Sequence, residues 1–254
     1  MVTKGSFFEG IQPHIKCKRG DVAKYALIPG DVDRAEKIVA QLDEAKFISK
    51  NREYIVYTGS KDGVPITVCT TGIGAPSTAI AVEELGKIGV EVFIRVGSAG
   101  GLQPDINTGE IVILTGAYRA EGTSNRYVPT PYPAIADIDV VNALIKAADS
   151  LKIKVNVGLG IAEDAFYGTP EQDFMNFYEW KIKAIEMEAS AIFVIASLRG
   201  WKSGTIDAID GNPTFGTTKE EKNEALFRKA EKDEITIAIE AIKLLDKLKS
   251  NRRG

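Results

Sequence analysis

The sequence predicts an α/β fold: one three-layer domain over residues 1–254, with a mixed, mostly parallel central sheet flanked by helices. Three observations predict it. Short β-branched or apolar runs alternate with helical stretches, the order that sets parallel strands in one sheet and carries the crossovers over its faces. A chain of 254 residues with 44% hydrophobic content can bury a large core, and α/β chains of this length routinely form one domain. No repeat, low-complexity tract or linker divides it.

The predicted strands are residues 25–29, 54–58, 64–70, 90–96, 111–115, 155–162 and 205–209, each rich in Val, Ile, Tyr or Thr. The second and third are joined by Ser60-Lys61-Asp62-Gly63, whose Asp-Gly pair supplies the positive φ of a tight hairpin. Helices are predicted over 32–41, 76–88, 137–150, 188–199 and from about 219 to 249. In the last, Ile235, Ile239, Ile242 and Leu245 share one face opposite lysines and glutamates, as in a surface helix that closes a fold. Residues 118–134, with Pro129, Pro131 and Pro133, read as a long loop.

Composition narrows the function. A net charge of −3, from 32 basic and 35 acidic residues, argues against a nucleic-acid partner. Cys17 and Cys69 stand in no paired spacing, and with the single His14 they are too few for a structural zinc site, so free thiols in a reducing, cytoplasmic setting are expected. No apolar run approaches the ~20 residues of a membrane span, so no membrane partner is expected.

Five segments carry chemistry-bearing residues. In Tyr25-Ala26-Leu27-Ile28-Pro29-Gly30-Asp31 a strand ends at a glycine and enters a helix, so Gly30 can offer its N–H to an anion and Arg34 can add a bidentate contact; an ordinary capped connection explains the same letters. Arg95, inside the apolar run Phe93-Ile94-Arg95-Val96, needs a partner anion, either a ligand or an internal carboxylate, and the small residues Gly97-Ser98-Ala99-Gly100-Gly101 after it allow close approach. The order of these glycines is not that of a dinucleotide-binding fingerprint. Thr71-Gly72-Ile73-Gly74-Ala75 opens an apolar helix and reads as close helix-to-sheet packing. In Glu186-Met187-Glu188, at a strand-to-helix junction, the two glutamates are expected to take separate tasks, and a carboxylate there can accept both hydroxyls of a ribose; helix N-termini also simply favour acids. Asp210, in Ile209-Asp210-Gly211-Asn212-Pro213, stands at a strand end where ligands collect in α/β sheets, or else in a plain Asp-Gly turn.

Together these segments resemble, in order and spacing, the hexameric branch of the nucleoside phosphorylase-I family, from Pro13-His14-Ile15 to the last helix. The most specific pieces are Pro29-Gly30-Asp31-Val32-Asp33-Arg34, Arg95-Val96-Gly97-Ser98-Ala99-Gly100 and Glu186-Met187-Glu188. The resemblance implies a phosphorylase/hydrolase-like fold and cleavage of a ribonucleoside by inorganic phosphate to ribose 1-phosphate and free base, with no cofactor. It implies that Gly30, Arg34, Arg95 and Ser98 bind phosphate, that Met187 and Glu188 hold the ribose, and that Phe166 stacks on the base. His14 and Arg52 match residues donated across a subunit interface, so a homo-oligomer with shared sites, commonly three dimers per hexamer, is implied. Glu53, Ile73 and Ser77 match positions that hold a structural monovalent cation in some members. Members that act on uridine usually follow the Phe-Tyr pair with Gln-x-Arg, whereas Phe166-Tyr167 here leads into Gly168-Thr169-Pro170-Glu171. Asp210 matches the aspartate that protonates a purine at N7, although only Lys219 and Lys222, and no arginine, follow it. A purine nucleoside is therefore the expected substrate, with uridine the alternative. A nucleosidase and a non-catalytic nucleoside-binding protein are the more distant alternatives, and a nucleosidase has no reason to keep Arg34, Arg52 and Arg95 together.

Overall fold

A computed structural model describes residues 10–216 and 223–251. In chain order the elements are β1 (Tyr25–Leu27), α1 (Val32–Val39), β2 (Glu44–Asn51), β3 (Tyr54–Lys61), β4 (Val64–Cys69), α2 (Ala75–Ile88), β5 (Val92–Gly101), β6 (Ile111–Arg119) and α3 (Ser124–Tyr127). They continue with β7 (Ala134–Ile135), α4 (Ile138–Leu151), β8 (Asn156–Ala162), α5 (Glu171–Glu179), β9 (Ala184–Glu186), α6 (Ala189–Arg199), β10 (Lys202–Gly211) and α7 (Glu224–Asn251). Lys219 and Lys222, and with them the expected start of the last helix, lie outside the described residues. No helix among the described residues is long and apolar enough to cross a membrane.

The mixed α/β architecture with a central sheet and flanking helices is as the sequence predicts. Its parallel share is smaller: five of the ten strand pairings are parallel and five antiparallel. Strands β4, β1, β5 and β10 form the parallel centre. The antiparallel pairings come from the β2–β3–β4 hairpins at one edge and from closure of the other half. There β5, β10, β6, β8 and β9 pair in a ring. The ring closes through β5, which pairs with β1 at Val92–Ile94 and then, past its small residues, with β9 at Gly100 and Gly101. Strands β5 and β10 and residues 189–196 of α6 are almost wholly buried, and Ile235, Ile239, Ile242 and Leu245 of α7 face the core as their spacing predicts.

The sequence does not announce β2, α3, β7 or α5, and of β9 it shows only the strand-to-helix junction at its end. Strand β2 reads Glu-Ala-Lys-Phe-Ile-Ser-Lys-Asn, largely exposed, and exists because β3 supplies its ladder. The stretch 118–134 is not one irregular loop either: β6 runs on to Arg119, and α3 and β7 occupy part of the rest. Arg119 explains its order. Its Nε donates to Ser124 Oγ, Nη1 to the carbonyls of Pro129, Thr130 and Tyr132, and Nη2 to Asn125 Oδ1 and the Val128 carbonyl. One buried guanidinium thus satisfies backbone acceptors that no helix or strand could reach. Arg119→Met strands those carbonyls and is expected to lose on the order of 3 kcal/mol of stability, measured by urea denaturation.

Candidate active site

The site is built where strands β1, β4, β5, β9 and β10 end, the edge at which open α/β sheets collect ligands. At its centre lies Arg95 of β5, 4% exposed. Its Nε donates to Glu186 Oε2 at 2.9 Å, while Nη2 lies 2.8 Å from Glu188 Oε2 and 3.5 Å from Asp207 Oδ1. Nη1 makes no hydrogen bond among the described residues. Gly97 permits this arrangement. A Cβ there would stand 2.5 Å from Arg95 Cζ, Arg95 Nη1 and Asp207 Oδ1, so only glycine lets the guanidinium fold back along its own strand.

Both glutamates of the 186–188 segment reach Arg95, because Glu186 ends β9 while Glu188 precedes α6 and the chain turns between them. Their second tasks differ, as expected. Glu186 accepts the backbone N–H groups of Glu188 at 2.8 Å and Ala189 at 2.9 Å, capping α6. Glu188 accepts the N–H of Gly74 at 2.5 Å. This corrects the reading of the 71–75 segment as packing alone: the start of α2 is fastened to the site's central carboxylate. Gly30 lies beside it, since a Cβ on Gly30 would sit 3.1 Å from the Gly72 carbonyl, and Thr71 N donates to the Pro29 carbonyl at 2.9 Å.

Three carboxyl groups around one guanidinium leave excess acid in a buried place. Burial pushes the Glu186 carboxyl up, to about 8, against the pull of Arg95. Asp207 is raised for the same reason, again opposed by Arg95. Burial disfavours the charge on Arg95, but Glu188, Asp207 and Glu186 outweigh it and hold the proton more firmly than usual.

Other candidates surround this centre. Ser98, half-buried, follows Arg95 on β5, and Met187, half-buried, separates the two glutamates. Asp210 is buried and occupies a bulge: Ile209 pairs with Ala99 and Gly211 with Gly100, leaving Asp210 out of the β5 register. Bulges of this kind re-aim a side chain beside active sites. The turn after it is fixed by buried Asn212, which donates to the Gln103 and Ile106 carbonyls and accepts from Thr214 N and Phe215 N. Phe166, 58% exposed, meets Tyr167 edge-on at 4.9 Å in the loop after β8, three residues past Glu163, whose N–H binds the Glu186 carbonyl.

Three candidates take partners other than the Arg95 carboxylates, although Arg34 is near enough to act on Asp207. The Arg34 guanidinium turns to α7, with Nε 3.4 Å from Glu231 Oε1 and 3.3 Å from Glu234 Oε1. His14 Nδ1 is 2.6 Å from Glu84 Oε1 of α2. Glu84 lies ten residues along α2 from Gly74, about 15 Å at the helical rise. Arg52 is exposed at the β2–β3 turn with φ 54°. Next to it Glu53 packs on Gly72, while Ser77 Oγ donates to the carbonyls of Ile73 at 3.2 Å and Gly74 at 3.3 Å, so Glu53, Ile73 and Ser77 do gather at the start of α2.

Asp207, Gly74, Glu231 and Glu234 escaped the sequence reading. Asp207 carried a usable signal, an acid inside an apolar strand, the same oddity that singles out Arg95.

Fold and site together define an α/β enzyme with a buried guanidinium-carboxylate centre at its strand ends. The family model described as the phosphorylase superfamily matches residues 24–243, and the chain belongs to that superfamily. It is 43% identical over 251 residues to a uridine phosphorylase of Thermococcus kodakarensis, covering 93% of this chain and 87% of that one. It is 40% identical over 228 residues to a guanosine phosphorylase of Halorubrum lacusprofundi, with 90% and 95% covered. Among solved structures, a purine nucleoside phosphorylase from Toxoplasma gondii in complex with immucillin-H superposes with a TM-score of 0.89 at 29% identity, over 95% of this chain and 98% of that one.

Proposed function

We infer that the chain is a nucleoside phosphorylase that cleaves a purine ribonucleoside with inorganic phosphate. The observation that supports the reaction type is a buried guanidinium, Arg95, bound to a carboxylate, Glu188, that is itself tied to the Gly72–Gly74 segment beside Gly30; in this reading the guanidinium takes the phosphate and the carboxylate the ribose hydroxyls. As the C1′–N bond stretches, its electron pair leaves with the base and positive charge grows on the ribose. Phosphate held by Arg95 and the Gly30 loop stabilises that charge and then bonds to C1′, giving ribose 1-phosphate. Ser98 and Arg34 join the phosphate site in this reading, Met187 and Glu186 the ribose side, and Phe166 the base.

Asp210 supports the purine, since its buried, bulged position suits proton donation to a leaving ring nitrogen. Uridine is the second reading, favoured by the Thermococcus relative, while the Halorubrum relative is named for guanosine. Chromatography of inosine and uridine reactions, with and without phosphate, tests both. Phosphate-dependent hypoxanthine release is expected. Faster uracil release would replace the purine with uridine, and release without phosphate would make the enzyme a nucleosidase.

His14 is bound to Glu84 well along α2 and Arg52 is exposed at the β2–β3 turn, which suits donation to a neighbouring subunit of a homo-oligomer, with the Glu53, Ile73 and Ser77 group holding a monovalent cation at that contact. Mixing inactive Arg52→Ala and Arg95→Ala chains is then expected to restore activity after subunit exchange. A mixture that exchanges subunits yet stays inactive would give each chain a site of its own.

A further inference from the structure

The Arg34 guanidinium is enclosed by two acids of α7, yet neither Arg34 Nε nor the Glu234 carboxyl is well bonded. Arg34 Nε, both carboxyl oxygens of Glu234 and Asp207 Oδ1 are buried without a hydrogen-bond partner among the described residues. Glu234 has no exposed side-chain surface, and Arg34 and Glu231 have almost none. Buried polar atoms left this way are costly, and they mark a place whose bonding is completed by something else. The wider cluster is rich in acid: Asp207, Glu186, Glu188, Glu231 and Glu234 share two buried guanidiniums, Arg34 and Arg95. Among the described residues only Glu231 has further cations, Lys37 Nζ at 2.6 Å and Arg228 Nη1 at 3.0 Å. An anion entering this cluster must contend with carboxylates already turned to its guanidiniums.

We propose that Glu231 and Glu234 are positioning residues for Arg34, and that phosphate competes with the Glu234 carboxylate for this guanidinium and so binds together with a proton on Glu234. The inference rests on the reading of Arg34 as a phosphate ligand. The two acids play different parts. Although burial opposes it, Glu231 is held ionised by Lys37 and Arg228 and supplies a lasting counter-charge that orients Arg34. Glu234 has no such partners. Its surroundings are Arg34 of α1, Asp207 of β10, Glu231 of its own helix and the Ala208 backbone, and burial raises its carboxyl well above the usual range, against the pull of Arg34. A raised carboxyl is neutral below its folded pKa and ionised above it. Neutral Glu234 leaves Arg34 to the phosphate, whereas ionised Glu234 both occupies Arg34 and repels a dianion. Phosphate affinity therefore falls as pH rises through that pKa.

The test is the phosphate KM of the wild type and of Glu234→Gln between about pH 6 and pH 9, at saturating nucleoside. Dividing one KM by the other at each pH cancels the ionisation of phosphate itself. The ratio is expected to climb with pH, the wild-type KM exceeding the variant's by on the order of tenfold once Glu234 is ionised. The nucleoside KM should show no such divergence. A ratio that stays flat overturns the proposal. Arg34→Ala separates the two layers of the argument. If it leaves phosphate KM unchanged, Arg34 is not a phosphate ligand and the underlying reading fails; if it raises KM while Glu234→Gln tracks the wild type, only the role of Glu234 fails. Should Glu234→Gln not fold, calorimetry of sulfate binding to the wild type in two buffers of different ionisation enthalpy decides instead. Sulfate does not titrate in this range, so proton uptake on binding supports the proposal, and none overturns it.

Discussion

Arg95→Ala is expected to lose nearly all phosphorolysis and, at neutral pH, much of its stability. The catalytic part follows from removal of a charge-assisted contact in a water-poor site, on the order of 2–4 kcal/mol of transition-state stabilisation. The stability part follows from what remains: Glu186, Glu188 and Asp207 would share a buried space with no guanidinium among them. Breaking a buried ion pair from one side typically costs about 3–5 kcal/mol. Its sign with pH is definite. Burial already raises the Glu186 and Asp207 carboxyls, and without Arg95 they keep protons that the unfolded chain gives up, so the penalty is small below the ordinary carboxylate range and grows as pH rises through their elevated folded values. Urea denaturation of the variant at about pH 5 and pH 8 is expected to show the deficit mainly at the higher pH. Arg95→Lys separates the two effects, because it keeps a charge among the acids but loses the planar fork. It should recover most stability while remaining at least about tenfold impaired in kcat/KM for phosphate. Full activity in either folded variant would remove Arg95 from the anion site.

Asp210→Ala is expected to lose about 10²–10⁴-fold in rate on inosine, the usual worth of a positioned general acid. An expelled purine carries negative charge over its ring, and a proton or strong hydrogen bond at N7 disperses it as the bond to C1′ breaks. A nucleoside already alkylated at N7, such as 7-methylguanosine, leaves without that help and should be cleaved by the variant at close to the wild-type rate. A misfolded variant would fail on both substrates alike. Equal losses on the two would end the general-acid role, and a wild type that prefers uridine to inosine at saturating phosphate would end the purine assignment with it.

Much of this was legible in the letters alone. Local chemistry writes itself into a sequence where a residue contradicts its neighbours: Arg95 in an apolar strand, Gly30 between a strand and a helix, and two glutamates where β9 gives way to α6 each break a pattern that packing would otherwise keep. The parallel centre was legible for the same reason, since period and length distinguish buried strands from amphipathic helices. Strand β2 was not, because its residues are polar and its existence depends on β3. The ring made by β5, β10, β6, β8 and β9 was equally hidden, because a sequence records that small residues allow β5 to bend but not which strand it will meet.

The site divides along the same line. Residue type and spacing singled out Gly30, Arg95, the 186–188 glutamates and Asp210 at or near strand ends as candidates for binding an anion and a sugar. Only the tertiary structure decided what each group faces. Asp207 comes to Arg95 because β10 lies beside β5, and Gly97 leaves room for the two to meet. Glu188 takes the Gly74 N–H from a helix more than a hundred residues earlier in the chain. Arg34, four residues after the strand-ending Gly30, meets two acids of a helix nearly two hundred residues later. Charge pairing over such separations leaves no local period or motif, because its partners are chosen by the packing of α7 against the sheet and not by neighbours in the chain.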